Sequence, residues 1–372
     1  MKFTIERNAL LKSLNHVQSV VERRNTIPIL SNVRLAAGDG VLELTATDLD
    51  IQIVETADIQ IDQPGATTLP AHLLYDIVRK LSDGAQVELS KDEGEGRFTL
   101  YSGRSHFELQ SLPAADFPDL TAGEMTHGFA LDARDLKKLI EKTRFAISTE
   151  ETRYYLNGIY LHETETSDGP VLRGVATDGH RLARVDLPLP QGAAGMPGII
   201  VPRKSVIELH KLLEDPDGQV EISLSDSKIR FVINGTVLTS KLIDGTFPDY
   251  ARVIPSDNTK ELELDGAIFT RAVDRVSTVS SEKGRAVKLS LSADKLVLTV
   301  NNPDSGTATE EIAVSYHDEP LDIGFNARYL ADITGQIESG HASFRLADSG
   351  APALVFDRDD DSAIYVLMPM RV

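Results

Sequence analysis

The sequence contains no cysteine among its 372 residues. Disulfide bonds, thiolate nucleophiles and zinc or iron–sulfur sites with cysteine ligands are therefore excluded. Basic residues are also scarce, because 38 Lys and Arg stand against 57 Asp and Glu and give a net charge of −19. A surface this acidic repels nucleic acid and anionic membrane, so contact with either requires a locally basic patch.

Long apolar runs are missing as well. The longest stretch without charge, residues 187–201, is interrupted by three prolines and is shorter than a membrane span. At the N-terminus, Glu6 and Arg7 stand where a signal peptide would carry its apolar region. We therefore expect a cytoplasmic protein without membrane contact. The apolar fraction of 41% and the charged fraction of 26% are typical of globular domains.

Motifs for catalysis and metal binding are absent from the sequence. It has no P-loop, no dinucleotide-binding glycine motif, no nucleophile elbow and no zinc-protease motif. The run Asp357-x-Asp359-x-Asp361 begins like a calcium loop, but Ser362 and Met368 stand where that loop requires Gly and Glu. We interpret the run as a charged hairpin turn, and we expect no cofactor and no metal.

Asp178 and His180 come nearest to a catalytic pair. A hydrolase that uses them is one alternative function for the chain. However, the corresponding segment at residues 47–50 has no histidine, so a catalytic role would belong to one copy alone. Asp and Gly at these positions are typical of a turn, which is the interpretation we favour.

The sequence is organised as a threefold repeat. The tripeptide at residues 46–48 recurs at 176–178, and the one at 117–119 recurs at 247–249, both 130 residues later. A short alternating strand that leads into helical apolar spacing begins at residues 3, 129 and 262. A period near 125 residues is the size of a whole domain. It predicts three similar domains at residues 1–125, 126–255 and 256–372.

Each predicted domain is itself doubled, as strand, helix and several strands, followed by a second helix and further strands. The predicted helices cover residues 9–24, 72–81, 133–144, 203–213, 269–279 and 327–337. Antiparallel strands are predicted at residues 41–47, 86–90, 97–102, 220–225, 230–234 and 288–291. This order predicts an α+β fold with helices on one side of the sheets, and not a parallel βαβ sheet.

The predicted helices carry net positive charge, while the remainder of the chain is strongly negative. Helices favour Lys and Arg in general, which is one explanation. The other is a shared basic surface that holds a polyanion by its phosphates without reading its sequence.

The C-terminal segment is apolar almost to its end. Met368 and Met370 lie within the last five residues, where chains usually fray. We therefore expect this segment to be docked as a strand. Methionine suits surfaces that accept several partners, although packing of a last core strand is the alternative.

Several motifs, in order over the full length, resemble those of the bacterial DNA sliding clamp, the beta subunit of DNA polymerase III. They are MKFTIER at the N-terminus, TIPIL at 26–30, RYYLNG at 153–158, ATDGHRL at 176–182, VPRK at 201–204, FPDY at 247–250 and MPMR at 368–371. The resemblance implies a head-to-tail homodimeric ring of six similar domains, with helices lining the hole and sheets outside. This chain would form half of that ring.

The function that the resemblance implies is that of a processivity factor. Such a ring encircles duplex DNA without sequence preference and tethers a polymerase, as a non-catalytic accessory subunit of a DNA-directed DNA polymerase. The implied partners are duplex DNA, a second copy of the chain, the catalytic subunit of DNA polymerase III, the clamp loader, and other replication and repair proteins that carry a short clamp-binding peptide. A scaffold that binds peptides but no DNA is the second alternative.

The resemblance also implies site residues. For DNA contact these are Arg24, His72, Tyr154, Tyr155, Arg203 and Lys204, although His72 and Glu150 depart from the family pattern. The implied partner groove, between the second and third domains, comprises Arg153, Leu156, Thr177, Gly179, His180, Arg181, Leu182, Pro248, Arg252, Val253, Asn326, Tyr329, Val366, Met368, Pro369, Met370 and Arg371. Three domains in line leave unlike ends, so self-association should be heterologous and closed. We place Phe107 and Leu109 against Thr278 and Val279 in that dimer interface.

Overall fold

A computed structural model of the protein describes residues 1–91, 97–120, 123–280 and 285–372. The described residues form helices and antiparallel sheets in two compact units. The first unit comprises Met1–Lys137, Pro190–Ala194 and Lys204–Leu242, and the second comprises Lys138–Leu189, Gly195–Arg203 and Ile243–Val372. This confirms the predicted α+β class. Within these ranges no helix is both long and apolar enough to span a bilayer.

The order of helices and strands repeats three times. The helices are α1 (Arg7–Gln18), α2 (Ala71–Lys80), α3 (Ala133–Arg144), α4 (Arg203–Leu212), α5 (Gly266–Ser277) and α6 (Ala327–Thr334). The strands of the first repeat are β1 (Lys2–Glu6), β2 (Asn32–Gly38), β3 (Val41–Thr47), β4 (Ile51–Asp58), β5 (Gln60–Gln63), β6 (Gly65–Pro70), β7 (Gln86–Ser90), β8 (Arg97–Ser102) and β9 (Ser105–Gln110). Those of the second are β10 (His127–Asp132), β11 (Gly158–Thr166), β12 (Gly169–Thr177), β13 (Arg181–Pro188), β14 (Ile199–Pro202), β15 (Gln219–Leu224), β16 (Lys228–Ile233) and β17 (Thr236–Lys241).

The third repeat contains β18 (Lys260–Asp265), β19 (Ala286–Ser292), β20 (Lys295–Asn302), β21 (Gly306–Ala313), β22 (Ser315–Tyr316), β23 (Leu321–Asn326), β24 (His341–Leu346), β25 (Ala353–Asp357) and β26 (Asp360–Leu367). Without the short strands β5 and β22, every repeat consists of strand, helix, four strands, helix and three strands. The predicted doubled unit is therefore confirmed. The domain limits at residues 125 and 255 stay a prediction, because both compact units combine segments of more than one repeat.

The first unit contains a five-stranded sheet, in the order β5-β1-β7-β8-β9, and an eight-stranded sheet, in the order β10-β15-β16-β17-β4-β3-β2-β6. Strand β17 of the second repeat pairs with β4 of the first, from Val237 opposite Val54 to Ser240 opposite Ile51. Helix α1 lies against β3 and β4 and buries Leu10, Leu14 and Val17 completely. This spacing places the three side chains on one helix face.

The second unit has the same arrangement. Its nine-stranded sheet has the order β14-β11-β12-β13-β26-β25-β24-β18-β22, and its four-stranded sheet has the order β21-β20-β19-β23. Strand β26 of the third repeat pairs with β13 of the second, from Arg181 opposite Leu367 to Val185 opposite Ala363. This pairing brings residues of two repeats side by side, far apart in sequence, and it positions the candidate site described below.

An acidic residue precedes the first helix of each repeat and binds the amides of its first turn. The carboxylate of Glu6 accepts a hydrogen bond from the amide of Ala9 (3.0 Å). Asp132 accepts one from the amide of Arg134 (2.9 Å), and Asp265 accepts one from that of Ile268 (2.8 Å). Such bonds satisfy amides that have no partner within the helix, and negative charge is favourable at this end. The junction of strand and helix is thus specified locally in all three copies.

The predicted end of the first helix was wrong. Helix α1 ends at Gln18, so Arg24 lies outside it. The amides of Val20 and Val21 bond to the carbonyls of Val17 and Gln18, three residues back, and the chain leaves the helix in tight turns. Both valines are buried. They extend the apolar pattern that predicted a longer helix.

Replacing Asp265 with Ala should remove the carboxylate that holds the first turn of α5. The loss of such a cap costs about 1 kcal/mol, which lowers the unfolding temperature by roughly 2–4 °C for a domain of this size. Asp265→Asn keeps an oxygen acceptor and should lose less. Scanning calorimetry of the three proteins tests this, and equal unfolding temperatures for Asp265→Ala and the wild type would contradict it.

Candidate functional site

The second unit contains an open trough with a volume of about 260 Å³. It lies where the 3-10 segment Glu151–Leu156, the turn between β12 and β13, residues 248–253 and the end of β26 meet. Its lining residues are Arg153, Tyr155, Leu156, Thr177, Gly179, Arg181, Leu182, Pro248, Asp249, Tyr250, Val253, Val366 and Met368.

The floor of the trough is part of the hydrophobic core. Leu156, Leu182 and Val366 belong to one buried cluster that also contains Val175, Ile200 and Phe247. Leu182 and Val366 are direct partners in the pairing of β13 with β26. Two of the three floor residues are therefore held by a sheet, and Leu156 comes from the end of the 3-10 segment.

The rim of the trough leaves large apolar side chains in solvent. Met368 is 40% exposed and Val253 is 45% exposed. A ligand that covers this apolar surface removes it from water, which stabilises the complex by about 25 cal/mol per Å². Concave sites with an apolar lining and a few polar groups are typical ligand sites.

A tight turn at Thr177–Arg181 forms one end of the trough. The carboxylate of Asp178 accepts hydrogen bonds from the amides of His180 (2.9 Å) and Arg181 (3.0 Å). Gly179 has a φ of +87°, and a Cβ there would collide with the guanidinium of Arg153. The carboxylate of Asp178 thus stabilises the turn. The ring of His180 stacks on that of Tyr329, with centroids 6.2 Å apart. These contacts support the turn interpretation over a catalytic Asp–His pair.

Arg181 is a buried charge with several partners. Its guanidinium pairs with Asp178 (3.2 Å) and Asp332 (2.5 Å) and donates to the carbonyl of Phe145 (2.6 Å). It also lies over the ring of Tyr329, 4.3 Å from the centroid. A buried charge with this many partners is held in one position. Burial raises the pKa of the Tyr329 phenol, which stays protonated.

Arg153 is fixed at the rim by Glu150. Its Nε and Nη2 donate to the two carboxylate oxygens at 2.8 and 2.6 Å, and Nη2 also donates to the carbonyl of Asp178 at 2.9 Å. The hydrogen bond with Arg153 lowers the pKa of Glu150, and the same bond raises that of Arg153. Glu150 thus positions a trough residue.

The structure gathers most of the predicted groove residues at the trough. Others lie beside it: Asn326 caps α6 by accepting from the amides of Arg328 and Tyr329, and Arg252 pairs with Asp249 (2.7 Å). The predicted groove residues that do not line the trough are His180, Arg252, Asn326, Tyr329, Pro369, Met370 and Arg371. The lining residues that the groove prediction missed are Tyr155, Asp249 and Tyr250. The FPDY motif at 247–250 contains two of these three.

The chain end is docked, as the apolar segment predicted. Strand β26 ends at Leu367, but the amide of Met368 donates to the carbonyl of His180 (2.9 Å) and that of Met370 donates to the carbonyl of Gly324 (2.8 Å). The main chain is therefore held on both sides of Pro369, and Met368 is directed by it into the trough lining.

The first unit has a counterpart of the trough, and it is polar. Gln52 on β4 occupies the position that corresponds to Leu182 one repeat later. It is buried, its side-chain oxygen accepts from the amide of Leu120 (3.0 Å), and its nitrogen donates to Asp119 (3.4 Å). The cleft of about 420 Å³ at this place is lined by Arg34, Glu43, Thr45, Gln52, Val54, Ala114, Phe117, Pro118 and Asp119.

Within the first unit, two of the predicted DNA-contact residues are bound by neighbouring groups. His72 contacts the side-chain oxygen of Gln18 through Nδ1 (2.9 Å) and the carbonyl of Val21 through Nε2 (2.8 Å). Lys204 Nζ lies 2.5 Å from a carboxylate oxygen of Asp48 and donates to the carbonyl of Val20 (3.0 Å). Arg24 is exposed beyond the end of α1.

The remaining predicted DNA-contact residues lie in the second unit. Tyr154 and Arg203 are exposed, whereas Tyr155 lines the trough. Lys142, a cation of the predicted third helix, does not contribute to a shared basic surface: it is 2% exposed, pairs with Glu338 (2.9 Å) and donates to the carbonyl of Gln336 (2.9 Å). The charge of Lys142 is therefore neutralised within the second unit, because its side chain is buried there.

The residues predicted for the dimer interface differ in exposure. Leu109 is 5% exposed and packs in the core of its own unit, so it offers a partner almost no surface. Phe107 is half-buried on the edge strand β9. Thr278 is exposed at the C-terminal end of α5, and the carbonyl of Val279 accepts from the side chain of Asn302 (2.8 Å).

The acidic run at residues 357–361 is a hairpin turn, as predicted. The carboxylate of Asp357 accepts from the amides of Glu338 (2.8 Å), Ser339 (3.0 Å) and Asp359 (3.1 Å). Across the described ranges, histidines and carboxylates do not gather in groups of three or more that could hold a metal ion.

Comparison with known proteins places all three repeats in one family. The models of the N-terminal, central and C-terminal domains of the DNA polymerase III beta subunit match residues 1–121, 130–249 and 251–371. The beta sliding clamp of Caulobacter vibrioides is 54% identical over 372 residues, and that of Escherichia coli is 42% identical over 373, each with complete coverage of both chains. A crystal structure of the Bartonella birtlesii sliding clamp bound to griselimycin superposes with a TM-score of 0.97 at 54% identity, again over both whole chains. The chain therefore belongs to the family of DNA polymerase III beta subunits, the sliding clamps.

Proposed function

We propose that the chain is a processivity factor of DNA replication in the cytoplasm. Two copies form a closed ring around duplex DNA, and the trough of each copy tethers the catalytic subunit of DNA polymerase III, the clamp loader, or another replication or repair protein. Tethering makes each new encounter of polymerase and DNA intramolecular, at high effective concentration. The chain acts as an accessory subunit and performs no catalysis itself.

The observation that carries the proposal is the trough. A solvent-exposed methionine and valine stand over a floor of Leu156, Leu182 and Val366 that is already buried and rigid. A short peptide with a leucine and an aromatic residue near its end would cover this apolar surface. Its polar groups would meet a fixed partner at the rim, Arg153. Pre-formed sites of this kind bind without a large ordering cost.

Sheet edges support head-to-tail association. Strand β9 is one edge of the five-stranded sheet, and β21 is one edge of the four-stranded sheet. Exposed strand edges are ready partners for another chain. The two edges belong to different repeats and differ in sequence. Unlike edges favour a heterologous contact that closes into a ring.

Met368→Ala should weaken binding of a polymerase-derived peptide. Truncation of a central apolar anchor costs about 2 kcal/mol, which corresponds to roughly a thirtyfold higher Kd. Ile268→Ala is the matched control, since Ile268 is 45% exposed on α5 and does not line the trough. Fluorescence anisotropy measures both, and griselimycin should compete with the peptide. Wild-type affinity in Met368→Ala would place the site elsewhere.

Reversal of two exposed charges should impair retention on DNA. The double variant Arg24→Glu, Arg203→Glu reverses the charge of two exposed arginines. The loaded variant ring should therefore dissociate from nicked circular DNA faster than the wild type as the salt concentration rises. Lys204 is unsuited to this test, because its reversal would place a carboxylate against Asp48. Arg358→Gln, on the β25–β26 hairpin, is the control, since it removes an exposed cation without placing a like charge against its partner Glu263. Equal retention of all three proteins would contradict a role of these two cations, and a wild type that is not retained at all would favour a peptide-binding scaffold without DNA.

Thr278→Asp should yield monomers where the wild type is a dimer. Thr278 is exposed, so the change should leave the fold intact. Leu109→Asp is not informative, since it introduces a charge into the core. Light scattering at micromolar concentration gives the mass of each protein. A monomeric wild type, or an unchanged dimer in Thr278→Asp, would overturn the predicted interface.

A further inference from the structure

Tyr250 lines the trough with its ring, while its hydroxyl reaches a polar layer on the nine-stranded sheet. The hydroxyl lies 3.0 Å from Nε2 of His162 on β11 and 3.3 Å from Nη1 of Arg173 on β12. His162 and Arg173 are direct partners in the pairing of those two strands. Neither residue lines the trough itself.

The hydrogen bonds of this layer have a definite direction. Nδ1 of His162 contacts the carbonyl of Glu163 at 2.9 Å, and a carbonyl only accepts, so Nδ1 carries a proton. In the neutral ring Nε2 then accepts from the hydroxyl of Tyr250, which in turn accepts from Arg173. Every donor in this chain of bonds has an acceptor.

Arg173 is itself anchored. Its Nε and Nη2 donate to the two carboxylate oxygens of Asp186 at 2.6 and 2.8 Å. Such bidentate pairs are strong and directional. The ring of His162 stacks on Tyr160 at 4.5 Å, and Tyr160 stacks on Phe247 at 4.9 Å. The layer is therefore rigid before any ligand arrives.

The wall that Tyr250 belongs to packs on the buried cluster through Tyr250 and Ile254, but its own polar bonds are few. Residues 248–253 include a 3-10 helix of four residues, Tyr250–Val253, without a side-chain cap at its start. Its end is closed by a local bond from the amide of Ile254 to the carbonyl of Ala251 (3.3 Å). The hydroxyl of Tyr250 ties this wall to the sheet.

We propose that His162 and Arg173 are positioning residues for peptide binding, which hold the hydroxyl of Tyr250 and thereby fix the wall formed by residues 248–253. This inference rests on the proposed function of the trough. Without the layer, Tyr250 and Val253 sample more positions, and the peptide must order them on binding. That ordering reduces affinity and shortens the lifetime of the complex.

Protonation of His162 should reverse the bond between Nε2 and the hydroxyl of Tyr250, because both ring nitrogens would then donate and the hydroxyl proton would lose its acceptor. Burial and the nearby charge of Arg173 lower the pKa of His162, so the neutral ring prevails at neutral pH. The charged and titratable groups that contact it or act on it are Tyr160, Arg173, Asp186 and Tyr250.

A double-mutant cycle tests the proposal with a fluorescent polymerase-derived peptide. His162→Phe keeps a stacked ring but removes the acceptor, and Tyr250→Phe removes one oxygen atom. Each should weaken binding about three- to tenfold, the usual effect of one hydrogen bond, mainly through faster dissociation. The double variant should bind no more weakly than Tyr250→Phe alone, since both act through one contact. His162→Gln, which supplies an acceptor oxygen, should restore part of the affinity.

The control is His341→Gln, which changes an exposed histidine on β24 of the same unit. Additive losses in the double variant, or wild-type affinity in both single variants, would overturn the positioning role. A wild-type chain that binds no peptide would instead refute the proposed function.

Discussion

The pairing of β13 with β26 is the interaction on which the candidate site depends. It sets Leu182 beside Val366, and the register that does so continues into the bond between the amide of Met368 and the carbonyl of His180. A shift of one residue would turn every side chain of β26 to the opposite face. The apolar floor, the docked chain end and the exposed methionine at the rim therefore follow from one strand pairing. The pairing joins two repeats that are more than a hundred residues apart in the chain.

Much of this architecture could be predicted from the sequence. The bounds of α3, β3, β7 and β8 match the predicted ones to the residue, because in each the apolar period is clear and the flanking residues favour turns. The end of α1 could not be predicted, since Val20 and Val21 continue the apolar pattern while they are buried in turns. Periodicity reports burial, and it does not distinguish a helix from a turn that packs on the same core.

The partners of individual side chains were harder to predict than the positions of helices and strands. The sequence gives Lys142 and Lys204 as cations on helices, but one is buried in ion pairs and the other is bound by Asp48 and the carbonyl of Val20. In a chain with 57 carboxylates, many cations find partners within the fold, and composition does not tell which remain free. Tyr155 and Tyr250 illustrate the same limit for the trough, because only the folded chain shows which side of a short 3-10 segment faces the floor.

The buried glutamine of the first unit has a consequence for the number of apolar anchors that the repeats provide. Both polar atoms of the Gln52 side chain are hydrogen-bonded, to Leu120 and to Asp119. At this position the first unit therefore has a polar side chain where Leu182 provides an apolar floor in the second. Duplication of the domain has therefore not duplicated the anchor. If each chain presents the anchor once, proteins that use it bind in competition, and one must dissociate before the next can bind. The order in which they exchange is then governed by the lifetimes of their complexes and by their local concentrations.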